Sequence, residues 1–246
     1  MKNSKPFLSF LSVLIIFLSS CDDSNSSGNE SSQEGAYSTA NILCELSEEM
    51  YNSDESINAN SKYAWTCNSL DRVLSGNGIP NHEVGTFPNP HNPNSISSQS
   101  VNHSFSLSPI LVSETGVETG GPRGAIAYAL NSVKFDPGTA GRCDDSGRCS
   151  LAQGQGSWSI EALGHNTFNF GDDMNHAHVQ PTGEYHYHGM PELLIAKLDK
   201  GDPMTLVGWA SDGFPDIDIL RFPWYVNNNN APALLEYGNS KIYEHF

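Results

Sequence analysis

The sequence predicts a mainly β protein: a single antiparallel β-rich domain, sandwich or jelly-roll-like, with a few short helices. Composition is the first reason, because only 16% of the residues are charged while 22 Gly and 14 Pro supply many turns. The second reason is that short strand-like runs alternate with turn signals from Val101 onward. The same turn-rich composition argues against a coiled coil and against a long helical solenoid, and no internal repeat is visible.

The N-terminus has the pattern of an export and anchoring signal. Lys2 and Lys5 precede an apolar run at 7–17, which is too short to span a bilayer, and the run ends in Leu-Ser-Ser-Cys21. This ending is similar to a bacterial lipobox, so we expect residues 1–20 to be a lipoprotein signal peptide and Cys21 to be lipidated. The alternative is ordinary secretion, in which Cys21 is an incidental thiol.

The remaining chain divides into a tether and a folded domain. Residues 21–37 are polar and acidic and cannot bury enough surface to fold, so they are predicted to be a flexible acidic tether. Residues 38–246 are predicted to form the single domain. This arrangement implies a location in the cell envelope, lipid-anchored at the outer membrane or the cell surface.

Elements can be predicted along the domain. The 38–74 segment is the most helix-like, with Ile42, Leu43, Leu46 and Met50 at helical spacing. Residues 76–100 are broken by Gly and Pro and predict a long ordered loop or wrapping arm. A helix is expected to start at Pro191, with Leu193, Leu194 and Leu198 as its apolar face and Gly201 as its stop. The predicted strands are 103–112, 124–135, 156–162, 176–180, 184–188 and 204–210.

Four cysteines lie within the domain, and an even number in an exported chain suggests disulfides. Three pairings are possible, of which Cys44–Cys67 with Cys143–Cys149 is the simplest. The second bridge would close the turn-forming loop CDDSGRC. A zinc site made of all four thiolates is the less favoured alternative, because the chain has no CxxC pair.

Net charge limits the partners that the chain can bind. A formal charge of −16 disfavours nucleic acid, because binding by counterion release needs a basic surface. It also disfavours anionic lipid, so we expect membrane contact only through the lipid anchor. No P-loop, dinucleotide fingerprint, HExxH or GxSxG motif is present.

Four of the nine histidines fall within thirteen residues and carry the candidate chemistry. His176 and His178 form one i, i+2 pair, His186 and His188 form another, and a Pro-Thr-Gly turn signal lies between them. The segment therefore predicts a β-hairpin. A three-residue loop at 182–184 would place His178 opposite His188 and Gln180 opposite His186, with all four histidines on one face. Tyr185, Tyr187, Ala177 and Val179 would then share the other face.

Several imidazoles on one face are costly unless something compensates them. They repel one another when protonated and compete for few hydrogen bonds when neutral. A divalent ion resolves both problems, and a His-rich set without thiolates favours Zn or Cu. Asp172, Asp173 and Glu184 flank the hairpin and could complete the ligand set or fix the imidazole tautomers. The alternative is that the His and Tyr side chains are structural and hydrogen-bond one another in a polar layer of the core.

The hairpin run NHAHVQPTGEYHYHG at 175–189 resembles the signature of the YHYH domain family, named for the motif at 185–188. The likeness extends over about residues 75–225 and includes 77–82, 85–89, 129–140, 158–163 and 207–215. It implies export and the importance of the hairpin, and it gives no substrate. It also implies that His178, His186 and His188 are better ligand candidates than His176, whose position is often Asn in the family. Residues 216–218 depart from the family pattern.

Catalysis would need groups that move protons. If the ion activates water, hydrolysis of an extracellular ester, phosphoester or glycan-linked substrate is the simplest chemistry. Asp212, Glu184 and Tyr185, or Tyr187 instead, would act as acid or base. Asp212 could equally be a metal ligand or a turn-capping residue. The alternative to an enzyme is a non-catalytic module that binds metal, or that binds carbohydrate through Trp158, Trp209 and the tyrosines.

Overall fold

A computed structural model describes residues 37–110, 124–151, 156–163, 168–199 and 205–218. Within these ranges the protein is mainly β, with antiparallel sheets and one short helix, as the sequence predicts. The elements in chain order are β1 Leu46–Asn52, β2 Ala59–Cys67, β3 Asp71–Gly76, β4 Val101–Ser106, β5 Ala127–Ala129, β6 Lys134–Phe135, β7 Gly138–Cys143, β8 Cys149–Ser150, β9 Trp158–Glu161, β10 Ala177–Val179, β11 Tyr185–Tyr187, α1 Glu192–Leu198, β12 Thr205–Ala210 and β13 Pro215–Asp218.

The first four strands form an antiparallel meander in the order β1-β2-β3-β4. The predicted helical segment at 38–74 is therefore wrong. Burial along β2 alternates, with Ser61, Tyr63 and Trp65 inward and their neighbours more exposed, which is the period of a strand. The apolar residues at helical spacing in 42–50 are mostly only partly buried, so no helical apolar face forms there.

A six-stranded sheet has the order β10-β11-β6-β5-β12-β13. Its ladders are antiparallel except between β11 and β6, where His186 pairs with Lys134 in parallel. A smaller sheet, in the order β8-β7-β9, carries the Cys143–Cys149 disulfide, and Cys44–Cys67 ties the segment before β1 to the end of β2. Both predicted disulfides are confirmed.

The two larger sheets share an apolar core. Trp65 of β2 donates its indole N–H to the Leu130 carbonyl at 2.8 Å, and the guanidinium carbon of Arg72 lies 3.3 Å from the ring centroid of Trp209 on β12. A second cluster lies beneath β10 and β11 and includes Leu194 and Ile195 of α1. The histidine strands are therefore packed on a buried apolar layer, which supports the positions of their side chains.

Residues 77–100 are confirmed as a long irregular arm, in which the only pairing among described residues is an isolated bridge between Asn89 and Asn92. The arm is fastened to the hairpin by side-chain amides. Asn92 and Asn94 both donate to the Val179 carbonyl, at 3.0 and 2.8 Å, and satisfy the outer edge of β10. The hairpin is thus held on its free edge as well as from below.

Other elements agree in part with the sequence prediction. The predicted strands correspond to β4, to β5 with β6, and to β9, β10, β11 and β12, whereas β7, β8 and β13 were missed. Helix α1 is confirmed, with Pro191 at its N-cap position, while Gly201 lies outside the described residues, as do Cys21, the signal segment and nearly all of the tether. Among the described residues, no helix is both long and apolar enough to cross a bilayer.

Candidate metal centre

The two histidine strands form the expected hairpin, in a register that differs from the predicted one. His178 lies opposite His186, and Gln180 donates its backbone N–H to the Glu184 carbonyl at 2.9 Å, so the three-residue loop is 181–183. The predicted loop at 182–184, with His178 opposite His188 and Gln180 opposite His186, is wrong. It would have required Pro181, which has no N–H, to pair within the ladder. Gly183, at φ +83°, supplies the left-handed turn residue.

The loop still has an odd number of residues, so the predicted division into two faces is confirmed for the residues of β10 and β11 and for His188, but not for His176. Ala177, Val179, Tyr185 and Tyr187 belong to the apolar cluster beneath the hairpin. His178 and His186 face the opposite side, where His188 joins them just beyond the end of β11. One face of the hairpin therefore builds the core, and the other brings three imidazoles together.

Three imidazole nitrogens converge on one point. The Nε2 of His188 lies 3.0 Å from the Nε2 of His186 and 3.2 Å from the Nε2 of His178, and the three possible ligand atoms are all within 4.8 Å of one another. The residues are buried, with 8% of His178 and 1% each of His186 and His188 exposed. This convergence is the geometry that a metal ion with three histidine ligands needs.

His176 does not join this cluster. Its backbone lies in the left-handed region at φ +53°, so the alternation of the strand does not extend back to it. Its ring Nδ1 lies 2.9 Å from the Met190 carbonyl, and its own carbonyl accepts the backbone N–H of His188 at 2.7 Å. His176 closes the open end of the hairpin.

Hydrogen bonds at Nδ1 fix the tautomers of two of the three rings. His178 Nδ1 lies 2.6 Å from Asp172 Oδ1, and His186 Nδ1 lies 3.4 Å from the Glu184 carbonyl oxygen. Both partners are acceptors, so each Nδ1 must carry the proton and each Nε2 keeps a free lone pair in the neutral ring. The Nδ1 of His188 is buried and has no hydrogen-bond partner within the described part of the chain. The nearby backbone carbonyl of Pro137 raises the pKa of this ring, against the larger effect of burial.

Burial keeps the two innermost rings neutral. It is the main cause that lowers the pKa of His188 to about 4, and the neighbouring His178 lowers it further. Burial also holds the pKa of His186 well below its ordinary value, with His188, His178 and Lys134 acting in the same direction. Neutral imidazoles with converging lone pairs are suited to a cation and poorly suited to one another.

A buried charge cluster adjoins the three histidines. Lys134 Nζ, on β6 beside His186, forms ion pairs with Asp136 Oδ2 at 3.0 Å and Glu184 Oε2 at 2.9 Å. Sequence reasoning identified Glu184 and missed Lys134 and Asp136. The available signal was a lysine between Val133 and Phe135 in a strand whose neighbours are apolar.

The remaining predicted site residues lie apart from the three histidines. Tyr185 is on the core face and donates its hydroxyl to Asp173 Oδ2 at 2.7 Å. Asp212 lies in the turn after β12, and two strands, β5 and β6, lie between β12 and β11 in the sheet. Its Oδ1 accepts the backbone N–H of Phe214 at 3.2 Å. Of the three proposed catalytic residues, only Glu184 is on the strand face that carries His186.

Trp209 is fully buried beneath Arg72, so its ring cannot present a stacking face to a sugar. The side chain of Trp158 lies outside the described residues. Tyr185 and Tyr187 are likewise buried. Trp209, Tyr185 and Tyr187 therefore offer no exposed aromatic surface to a carbohydrate, whereas Tyr37 and Tyr51 are exposed.

Comparison with known protein families identifies the hairpin region. A family model described as YHYH protein matches residues 102–240, which include both strands of the hairpin, all three converging histidines and the Lys134 cluster. No similar protein is found among curated proteins, and no similar structure is found among solved structures.

Proposed function

The chain belongs to the YHYH protein family, and we propose that it is a cell-envelope protein that binds one transition-metal ion through His178, His186 and His188. The observation that carries this proposal is the convergence of three buried Nε2 atoms, two of which have their tautomer fixed from the Nδ1 side. Asp172 acts as the orienting partner of His178, an arrangement that is frequent around metal-bound imidazoles.

Distance and charge both favour a divalent ion. In a tetrahedral zinc site with bonds of 2.0–2.1 Å, ligand nitrogens lie about 3.3 Å apart. Here the Nε2 of His188 lies 3.0 Å from that of His186 and 3.2 Å from that of His178. The charges adjoining the rings are the carboxylates of Asp172, Asp136 and Glu184 against the ammonium of Lys134. A divalent cation would neutralise this surplus of negative charge. Zinc fits the all-nitrogen set best, and copper is the alternative.

A second candidate function is metal-dependent hydrolysis of an extracellular substrate. The observation in its favour is that the described ligand set has three members, His178, His186 and His188, which would leave the fourth position of a tetrahedral ion to water or substrate. The Glu184 carboxylate, partly exposed and on the same strand face, is the group best placed to accept a proton. The negative surroundings favour a neutral ester or a glycan-linked substrate over a phosphoester.

Export and lipid anchoring at Cys21 are part of the proposal. The presence of two disulfides supports an oxidising compartment, because disulfides rarely persist in the cytosol. The lipobox-like sequence supports attachment at the outer membrane or the cell surface. Labelling of the expressed full chain with a fatty-acid analogue, lost in Cys21→Ser, would test the anchor.

Metal content tests the binding function. The domain, purified without chelator and then titrated with Zn²⁺ or Cu²⁺, is expected to bind one equivalent. His186→Asn is expected to lose that binding while circular dichroism stays unchanged, whereas His176→Asn and His91→Asn are expected to retain it. Absence of stoichiometric metal from the wild-type domain, or full retention in His186→Asn, would contradict the proposal. An assay of ester and glycoside substrates on the zinc-loaded protein separates the hydrolase from the non-catalytic module.

A further inference from the structure

Lys134 has a setting that metal binding by the three histidines does not explain. Its side chain is 10% exposed, and its Nζ is surrounded by three oxygens: Asp136 Oδ2 at 3.0 Å, Glu184 Oε2 at 2.9 Å and Gln180 Oε1 at 3.3 Å. An ammonium has three protons, and each has one acceptor here. Two carboxylates and one amide oxygen are also the kind of ligand set that a hard divalent cation takes.

The oxygen cage adjoins the histidine cluster. Lys134 pairs with His186 across β6 and β11, and the backbone carbonyl of Glu184 faces His186 Nδ1. Gln180 also donates its side-chain N–H to Asp136 Oδ2 at 3.2 Å, which fixes the amide so that its oxygen points at the ammonium. The cage is thus built from the hairpin and from the strand beside it.

We propose that Lys134 is a built-in cation that fills a second cation position, formed by Asp136, Glu184 and Gln180, and thereby keeps the centre mononuclear. The two carboxylate side chains are only 7% and 22% exposed, and the ammonium lies within 3.0 Å of an oxygen of each, so it is their close counter-charge. The Lys134 ammonium supplies this positive charge and, because it is covalently attached to the chain, cannot dissociate into solvent as a bound ion can. A metal ion that entered the cage would have to expel the ammonium and leave it buried without a partner.

Removal of the ammonium should therefore convert the cage into a metal site. In Lys134→Ala, the buried carboxylates lack their counter-charge, and the space of the missing side chain admits an ion. Oxygen ligands select Mn²⁺, Mg²⁺ or Ca²⁺, whereas the three imidazoles select Zn²⁺ or Cu²⁺. The two positions can accordingly be probed separately. That the centre is mononuclear rests on the proposed histidine site, whereas occupation of the oxygen cage by Lys134 does not.

The protein is first treated with chelator and then loaded with one equivalent of Zn²⁺. Binding of Mn²⁺ to this protein is then measured by electron paramagnetic resonance and calorimetry. The wild-type domain and Lys134→Arg, which keeps the charge, are expected to bind no Mn²⁺ in the cage. Lys134→Ala is expected to bind one equivalent of Mn²⁺ at least tenfold more tightly than any weak surface binding by the wild type. Lys134→Ala combined with Glu184→Gln is expected to lose this binding. Folding of Lys134→Ala only in the presence of Mn²⁺ or Ca²⁺ would also support the inference.

Two outcomes would overturn it: tight Mn²⁺ binding by the wild-type domain that Glu184→Gln abolishes, or folded Lys134→Ala that binds no more Mn²⁺ than wild type. If Lys134→Ala does not fold under any condition, the number of Mn²⁺ ions bound by the wild type decides. One equivalent that Glu184→Gln abolishes contradicts the inference, and none agrees with it. Failure of Zn²⁺ to bind the wild-type domain would contradict the histidine site alone, because the Mn²⁺ result is read from different ligands.

Discussion

Acidification of the metal-free protein should destabilise it through the buried imidazoles. In the unfolded chain His188 has an ordinary pKa near 6.5, and in the folded protein burial lowers that pKa to about 4. The unfolded state therefore takes up a proton first as the pH falls. The stability that the neutral ring permits is fully present above pH 6.5 and is lost between pH 6.5 and about 4.

The size of the effect follows from the two pKa values. Each pH unit between them changes the free energy of unfolding by ~1.4 kcal/mol, so His188 alone contributes a loss of about 3 kcal/mol by pH 4. The buried His186 changes the stability in the same direction. A loss of this size is a large part of the ~5–15 kcal/mol that stabilises a typical domain.

Urea unfolding of chelator-treated protein at pH 7, 5.5 and 4, followed by tryptophan fluorescence, measures this loss. The wild type is expected to lose about 3 kcal/mol more than His188→Asn between pH 7 and 4, and His91→Asn, changed at an exposed histidine, should behave as wild type. Equal pH dependence in wild type and His188→Asn would refute the reasoning. Saturating Zn²⁺ at pH 7 should add about 2.7 kcal/mol at a hundredfold excess over the dissociation constant.

Three further substitutions test separate parts of the site. Asp172→Asn should weaken Zn²⁺ binding by roughly 10–100-fold in calorimetry, because His178 loses its orienting carboxylate; unchanged affinity would contradict that role. Gly183→Val should destabilise the hairpin by about 1–3 kcal/mol in urea unfolding, since φ is +83° and a Cβ would lie 2.0 Å from Ser97 Oγ; Thr182→Val at the exposed neighbouring position is the control. Leu194→Ala should cost about 2–5 kcal/mol while one Zn²⁺ is still bound, because Leu194 packs beneath the hairpin and is fully buried; loss of the metal in a folded variant would contradict this separation of core and site.

Local chemistry made the hairpin predictable. Two i, i+2 histidine pairs around a Pro-Thr-Gly turn define two strands and their faces, and the odd loop length keeps His178 and His186 on one side. The exact register depended on Pro181, whose missing N–H places it in the loop. His176 illustrates the limit of spacing arguments, because one left-handed residue ends the alternation on which they rest.

The long-range parts of the site could not be predicted in the same way. Lys134 and Asp136 are about 50 residues before His186 in the sequence, and they meet it only through the parallel pairing of β6 with β11. No local pattern specifies which strand lies beside which. The same limitation explains the error at 38–74, where the apolar spacing suggested a helix. That segment instead forms part of a sheet that packs on Trp209 and Tyr128, both far away in sequence.

The two faces of the hairpin make core packing and ligand geometry interdependent. Tyr185 and Tyr187 are fixed in the apolar cluster by the hydrogen bonds of their hydroxyls, to Asp173 and to His82 and Asn131. Because successive side chains alternate, fixing the tyrosines also fixes His186 and His188 on the opposite side. A shift of the strand by one residue would bury imidazoles in the core and expose phenols at the site. The tyrosines of the YHYH motif therefore act as positioning residues for the histidines. Tyr187→Phe, which keeps the packing and removes the hydrogen bonds to His82 and Asn131, should preserve metal binding far better than Tyr187→Ala.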